Sequence, residues 1–149
     1  MVELTIQDFR DVLWVNNCAA EFSTVNQLRT EVLHLLRKTL KAEKGNFFLL
    51  PGTNPQADFY RVISLGVEER AVRLYQRYYY QLDPFAMTVG PSDPTVVTTD
   101  DVVIFKNFVR TEYYNDFLKP QSIHHQMTFY LKNKHRLLGV VTLFRSRKA

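Results

Sequence analysis

TEYYNDFLKPQSIHHQMTFYLKNKHRLLGVVTLFRSR, residues 111–147, carries the reading of the fold. Its first part closes a helical stretch, Asp101–Leu118, whose Val103, Phe105, Phe108, Tyr113 and Phe117 precede a stop at Pro120. Two alternating strands follow and meet at a polar turn centred on Lys134 and His135. That turn pairs Asn133 with Arg136, and so Met127 with Thr142 and Phe129 with Val140. One face then holds His125, Met127, Phe129, Leu131, Leu138, Val140, Thr142 and Phe144. The other holds Gln126, Thr128, Tyr130, Gly139, Val141 and Leu143. Both faces are too apolar to meet water, which predicts a sheet covered on both sides.

Upstream, the hydrophobic period changes twice. Ile6, Phe9, Val12 and Leu13 recur at helical spacing behind Thr5 as N-cap. Thr24 with Gln27 forms a capping-box pattern, and Val25, Leu28, Val32, Leu35 and Leu36 make one apolar stripe. Lys41 and Lys44 suit the C-terminal end of that helix, with Gly45 as its stop. Asn46–Leu50 and Phe59–Leu65 then read as a strand pair joined by the polar loop GTNPQAD. From Glu68 the pattern is helical again, with Val72, Tyr75 and Tyr79 on one face until Asp83-Pro84. Gly90–Pro94 is a loop. The predicted fold is α+β: a central antiparallel sheet of five to six strands with helices on both faces. One domain spans residues 1–149, with a helical N-terminal segment (1–45) and a sheet-containing core (46–147).

The 149-residue length suits one domain that buries about 70% of its unfolded surface. An apolar fraction of 46% argues against disorder, and 11 Phe with 8 Tyr predict an aromatic interior or pocket. No apolar run approaches the ~20 residues of a membrane span, and MVELTIQDFRDVLW lacks the apolar core of a signal peptide. With the single Cys18, these features lead us to expect a cytoplasmic protein without an internal disulfide. The net charge of +4 is spread out. Arg37, Lys38, Lys41 and Lys44 cluster, but Glu31 and Glu43 interleave with them, as on a solvated helix face.

Catalytic signatures are missing. There is no Walker loop, nucleophile elbow or glycine-rich dinucleotide loop. His124 and His125, if both lie in a strand, point to opposite faces and cannot chelate one metal. No cofactor is expected, and the protein reads as a non-enzyme. A small hydrolase or isomerase using Asp83 with His125 is the enzymatic alternative. The denser constellation is YQRYYYQLDPF, residues 75–85. Tyr75 and Tyr79 lie one helical turn apart, and Asp83 follows one turn later. A carboxylate beside two phenols makes a polar grip on a small ligand in an apolar cavity. The competing reading packs the tyrosines on the sheet and lets Asp83 cap a short helix after Pro84.

YYYQLDPF, EYYNDFLKPQSIHHQMTFYL and the closing LLGVVTLFRSR resemble the ligand-sensing region of LuxR-type transcription regulators, over about Phe47 to Arg147. The resemblance is nearest to the branch described as GAF- or PAS-like, and it implies that fold. Relatives of this kind bind acyl-homoserine lactones, and Asp83 matches the aspartate of their pocket. Thr142 corresponds to their hydroxyl residue on the last strand, and Tyr75 or Tyr79 to an aromatic before the Asp-Pro step. This chain has no tryptophan on that helix, and its tyrosine-to-aspartate spacing differs from the lactone sensors. The expected site therefore takes a small apolar or amphipathic ligand of unassigned class. In it Asp83 accepts a hydrogen bond, while Tyr75, Tyr79 and Thr142 add polar contacts. Phe47, Leu49, Phe59, Phe105, Met127 and Phe129 form the walls. The family pattern further implies a homodimer that meets DNA only through a helix-turn-helix domain absent from this sequence. A ligand-free dimerisation module, pairing through helices 6–20 and 24–43, is the alternative from another class.

Overall fold

The computed structural model describes residues 25–49, 62–86, 94–133 and 136–147. The expected helix at 6–20, Thr24, Cys18, Phe59 and the turn residues Lys134 and His135 lie outside the described residues. Five strands form one antiparallel sheet: β1 (Lys44–Leu49), β2 (Val62–Leu65), β3 (Val96–Thr98), β4 (His125–Asn133) and β5 (Arg136–Arg145), in the order β2-β1-β5-β4-β3. β5 pairs along its length with both β1 and β4, so the last strand of the sequence is the centre of the sheet.

Helix α1 (Val25–Thr39) covers one face. Its stripe sets Leu33, with no exposed surface, beside Val32, Leu36 and Leu40 on Phe47, Val141 and Leu143 of the sheet. Arg37 and Lys38 lie in its last turn, where a positive charge complements the helix dipole. The helix does not run to Gly45. Lys41 takes a left-handed conformation (φ 51°), and the amides of Lys41 and Ala42 return to the carbonyls of Lys38 and Arg37. That is a Schellman closure with lysine in the glycine position, and Gly45 belongs to β1.

The other face carries α2 (Glu69–Arg77) and the segments between β3 and β4. The expected single helix over 101–118 is broken into α3 (Thr99–Val102), α4 (Phe105–Phe108) and a π-helical turn (Tyr113–Leu118). Two causes are visible. Thr98 and Asp101 form a capping box that fixes where α3 begins. The β-branched run Val102-Val103-Ile104 then adopts extended backbone at Val103 and Ile104. The wide π turn directs Tyr113, Phe117 and Leu118 into a core with Ala71, Ile123 and Phe144.

The hairpin corrects the predicted strand register. Asn133 pairs with Arg136 and Lys132 with Leu137, as the turn requires, but Leu131 pairs with Gly139. Leu138 is left over as a β-bulge, and every pair beyond it moves by one residue. Met127 therefore faces Leu143, Phe129 faces Val141, and Thr142 faces Thr128. Because alternation has period two, the slip exchanges the faces of all of β5 above the bulge. Phe47, Phe129, Val141 and Leu143 now share the α1 face. Gln126, Thr128, Tyr130, Val140, Thr142 and Phe144 share the other. Glycine is required at 139, because a Cβ there would stand 2.7 Å from the Phe48 carbonyl oxygen.

Candidate functional site

α2 ends at Arg77, and a 3-10 turn (Tyr79–Gln81) carries the chain down to Asp83-Pro84. This descent buries Asp83 at 4% exposure under the second face of the sheet. Four donors converge on its carboxylate. The Tyr75 hydroxyl donates to Oδ2 at 2.7 Å, and the Phe85 backbone N–H donates to Oδ1 at 2.9 Å. The Tyr113 hydroxyl, from the π turn, is the third, and the Ala86 backbone N–H is the fourth. The Phe85 amide bond is the local turn made by an aspartate two residues earlier, and residues 84–86 form a turn rather than the short helix of the capping reading. The Tyr130 hydroxyl donates to the Phe85 carbonyl at 2.7 Å and ties this turn to β4.

Burial outweighs these donors and raises the Asp83 pKa to about 6. The phenols of Tyr75 and Tyr113 are pushed well above their ordinary value, first by burial and then by the carboxylate. The group is thus a neutral-to-anionic switch held between two phenols that stay protonated.

Beside it lies a cavity of about 30 Å³. Asp83, Tyr75, Tyr113 and Phe117 line one side, and Asn46, Phe48, Gln126 and Thr142 line the sheet side. A water needs on the order of 10–15 Å³ in such a space, so the cavity has room for one or two waters and not for an acyl chain. A polar row crosses this face of the sheet, and its Asn46 and Thr142 line the cavity. Ser64, Asn46, Thr142 and Thr128 are successive cross-strand partners on β2, β1, β5 and β4.

Tyr75, Asp83 and Thr142 are brought together here, three of the ten residues singled out in the sequence. Tyr79 is not, because α2 ends before it; its ring stacks on Phe117 at 4.6 Å, outside the cavity lining. Phe105 packs against Tyr114 and His124, also outside it. Phe47, Leu49, Met127 and Phe129 face α1 on the opposite side of the sheet; the bulge parts Met127 and Phe129 from Thr142, and the pairing of Asn46 with Thr142 does the same for Phe47 and Leu49. Phe59 is not among the described residues. Sequence reasoning missed Tyr113, Asn46 and Gln126. Tyr113 had been read as one aromatic of a regular helix, and only the π turn aims it at Asp83.

His125 does not approach Asp83. It lines a separate surface pocket with Leu40, Met127 and Arg145. His124 precedes β4, so strand alternation does not separate the two imidazoles as expected; their centroids are 4.8 Å apart, edge to face. His124 Nδ1 is 2.6 Å from the Tyr114 hydroxyl. Among the described residues no group of three or more His, Cys, Asp or Glu is placed to hold a metal ion. No described helix is long and apolar enough to cross a membrane.

No protein-family model matches the sequence, and no curated protein matches it. Solved structures do resemble it. The VqsR ligand-binding domain from Pseudomonas aeruginosa aligns with a TM-score of 0.62 at 13% identity, covering 94% of this chain and 80% of that one. Escherichia coli SdiA aligns at 0.61 and 14%, covering 93% of this chain and 57% of its own. SdiA in complex with octanoyl-rac-glycerol gives 0.61 and 15%, covering 97% and 56%. A domain of a putative two-component sensor histidine kinase from Sinorhizobium meliloti gives 0.57 and 14%, covering 86% and 77%. At these identities the likeness shows a shared fold, α+β with a central antiparallel sheet, as expected from the sequence.

Proposed function

We propose that this chain is a small-molecule-sensing regulatory domain of the kind found in LuxR-type transcription regulators. The observation that carries the reading is the buried Tyr75–Asp83–Tyr113 grip beside a cavity floored by polar residues of a central sheet. Such a group is costly to bury and contributes little to packing, which fits a site kept for recognition. The fold shared with a ligand-binding domain, and with SdiA in its octanoyl-rac-glycerol complex, supports the same reading. At about 30 Å³ the cavity is far below the ~300 Å³ of a small-ligand site, so entry needs side chains to move. Tyr75 and Phe117, whose rings pack 5.8 Å apart over it, are the natural movers. Promoter DNA, in this reading, is met by a helix-turn-helix region and not by the residues described here.

Homodimerisation belongs to the same proposal, but α1 packs its apolar stripe on the chain's own sheet. Sedimentation at two micromolar concentrations reads the oligomeric state. The test of sensing is native mass spectrometry of protein purified from its host cells, against the denatured mass. A small-molecule mass lost on denaturation is expected. A bare mass, with no rise in melting temperature across neutral amphiphiles, would overturn the reading.

A further inference from the structure

Asp83 is the obvious anchor of the cavity, yet its oxygens already receive four donors from the protein itself. The unmet hydrogen-bonding capacity lies on the sheet floor. Asn46 is 8% exposed and Gln126 6% exposed, and both line the cavity. Asn46 Oδ1 and Gln126 Oε1 are buried without any hydrogen-bond partner. The Gln126 amide is oriented by its own donation from Nε2 to Thr128 Oγ1 at 3.2 Å, which leaves its oxygen as the free acceptor. Asn46 has Ser64 and Thr142 as its cross-strand neighbours, and Ser64 Oγ lacks a partner too, so the polar row does not satisfy itself. Buried acceptors left in this state are rare and costly in folded proteins. Among the described residues no lysine or arginine lines the cavity, and its one carboxyl group is that of Asp83.

We infer that the sensing site selects a neutral amphiphile whose head group donates at least two hydrogen bonds, to Asn46 Oδ1 and Gln126 Oε1. The inference rests on the sensing function proposed above and names the ligand chemistry of that same site. Two separate acceptors need two protons, as a diol supplies. Asn46 pairs with Thr142 and Gln126 with Phe144 of the intervening β5, so the two stand about 12 Å apart at the backbone. A head group that spreads its donors across that floor fits better than a single hydroxyl. A carboxylate head is excluded, since it brings a charge that no cation of the lining meets and offers no proton to either amide. Asn46 and Gln126 are therefore specificity-determining residues, and Asp83 with its two phenols forms the opposite wall.

The test uses 1-octanoylglycerol, methyl octanoate and octanoate, which share a chain and differ in head group. Affinities are measured by thermal shift and native mass spectrometry on the whole chain, on Asn46→Val and on Gln126→Met. The wild-type chain binds the glycerol ester about tenfold or more tighter than the methyl ester, the effect of a single unmet acceptor, and does not retain octanoate. Each variant loses that tenfold preference, keeps its methyl ester affinity, and melts no lower than wild type without ligand. Equal affinities of the wild type for the two esters would overturn the inference and leave the sensing function standing. So would variants that keep the preference, or that melt lower without ligand while keeping it, as amides of purely structural role would. No binding of any of the three compounds overturns both. If one variant does not fold, the other decides.

Discussion

At the residue scale, Asp83 ties the stability of the protein to pH. Its folded pKa, about 6, lies above the ordinary carboxylate value of 3.8, so the folded state holds its proton more firmly than the unfolded chain. The stabilisation from the neutral acid is complete below about pH 4 and is lost as pH rises through about 6. A shift of roughly two units corresponds to about 3 kcal/mol. Asp83→Asn removes this dependence while keeping an oxygen for the Phe85 amide. Urea unfolding at pH 4.5 and 7.5 should show the wild type losing on the order of 2–3 kcal/mol relative to the variant. Parallel pH profiles for the two proteins would mean that Asp83 is ionised across the whole range. The same residue explains why Tyr113 matters, since a second phenol is what keeps an ionised Asp83 tolerable above pH 6.

At the element scale, the β4–β5 hairpin decides what each side of the sheet can do. Leu138, 40% exposed, is the residue without a cross-strand partner. Because it bulges out of the pairing, Val141 and Leu143 fall on the α1 face and Thr142 on the cavity floor. Deleting Leu138 joins Leu137 to Gly139 and leaves every pair from Gly139 onward, Thr142 with Thr128 among them, on the face it now has. The deletion should therefore keep a cooperative thermal melt, with the polar row and the α1 layer intact. A deletion variant that loses its cooperative melt would show that the bulge itself is needed to hold the two faces.

At the scale of the whole molecule, the sheet separates two layers of different character. The α1 layer is closely packed and apolar, with Leu33 at its centre. Leu33→Ala should cost about 2–5 kcal/mol in denaturant unfolding, as for fully buried leucines in general, without altering ligand preference. A loss below ~1 kcal/mol would mean that α1 is only loosely docked. The second layer holds Asp83, unpartnered amides and a small cavity, and is the less stable of the two by composition. A ligand that fills it stabilises the fold by mass action, by about 2.7 kcal/mol at a hundredfold excess over its Kd. The stable layer gives the site a rigid floor, and the polar layer has room to rearrange.

Pattern and composition alone establish the α+β class, the two-sided covering of the sheet, the helix now seen as α1, and four of the five strands to within a few residues. They also mark Tyr75 and Asp83, because a helix running into Asp-Pro is a local pattern. β3 went unread, since three residues, Val96–Thr98, are too few to show a period. Which residues meet Asp83 was a tertiary decision. The bulge at Leu138 exchanges the faces of β5, and alternation alone carries no mark of one extra residue. The π turn aims Tyr113 inward, and the breaks at Val103 and Ile104 follow from capping and extended backbone that an averaged helical period does not register. Asn46 and Gln126 lie 80 residues apart in sequence and become one floor only because β5 lies between β1 and β4. Periodicity reports which side of its own element a residue faces, while the chemistry of a site depends on which elements share that side.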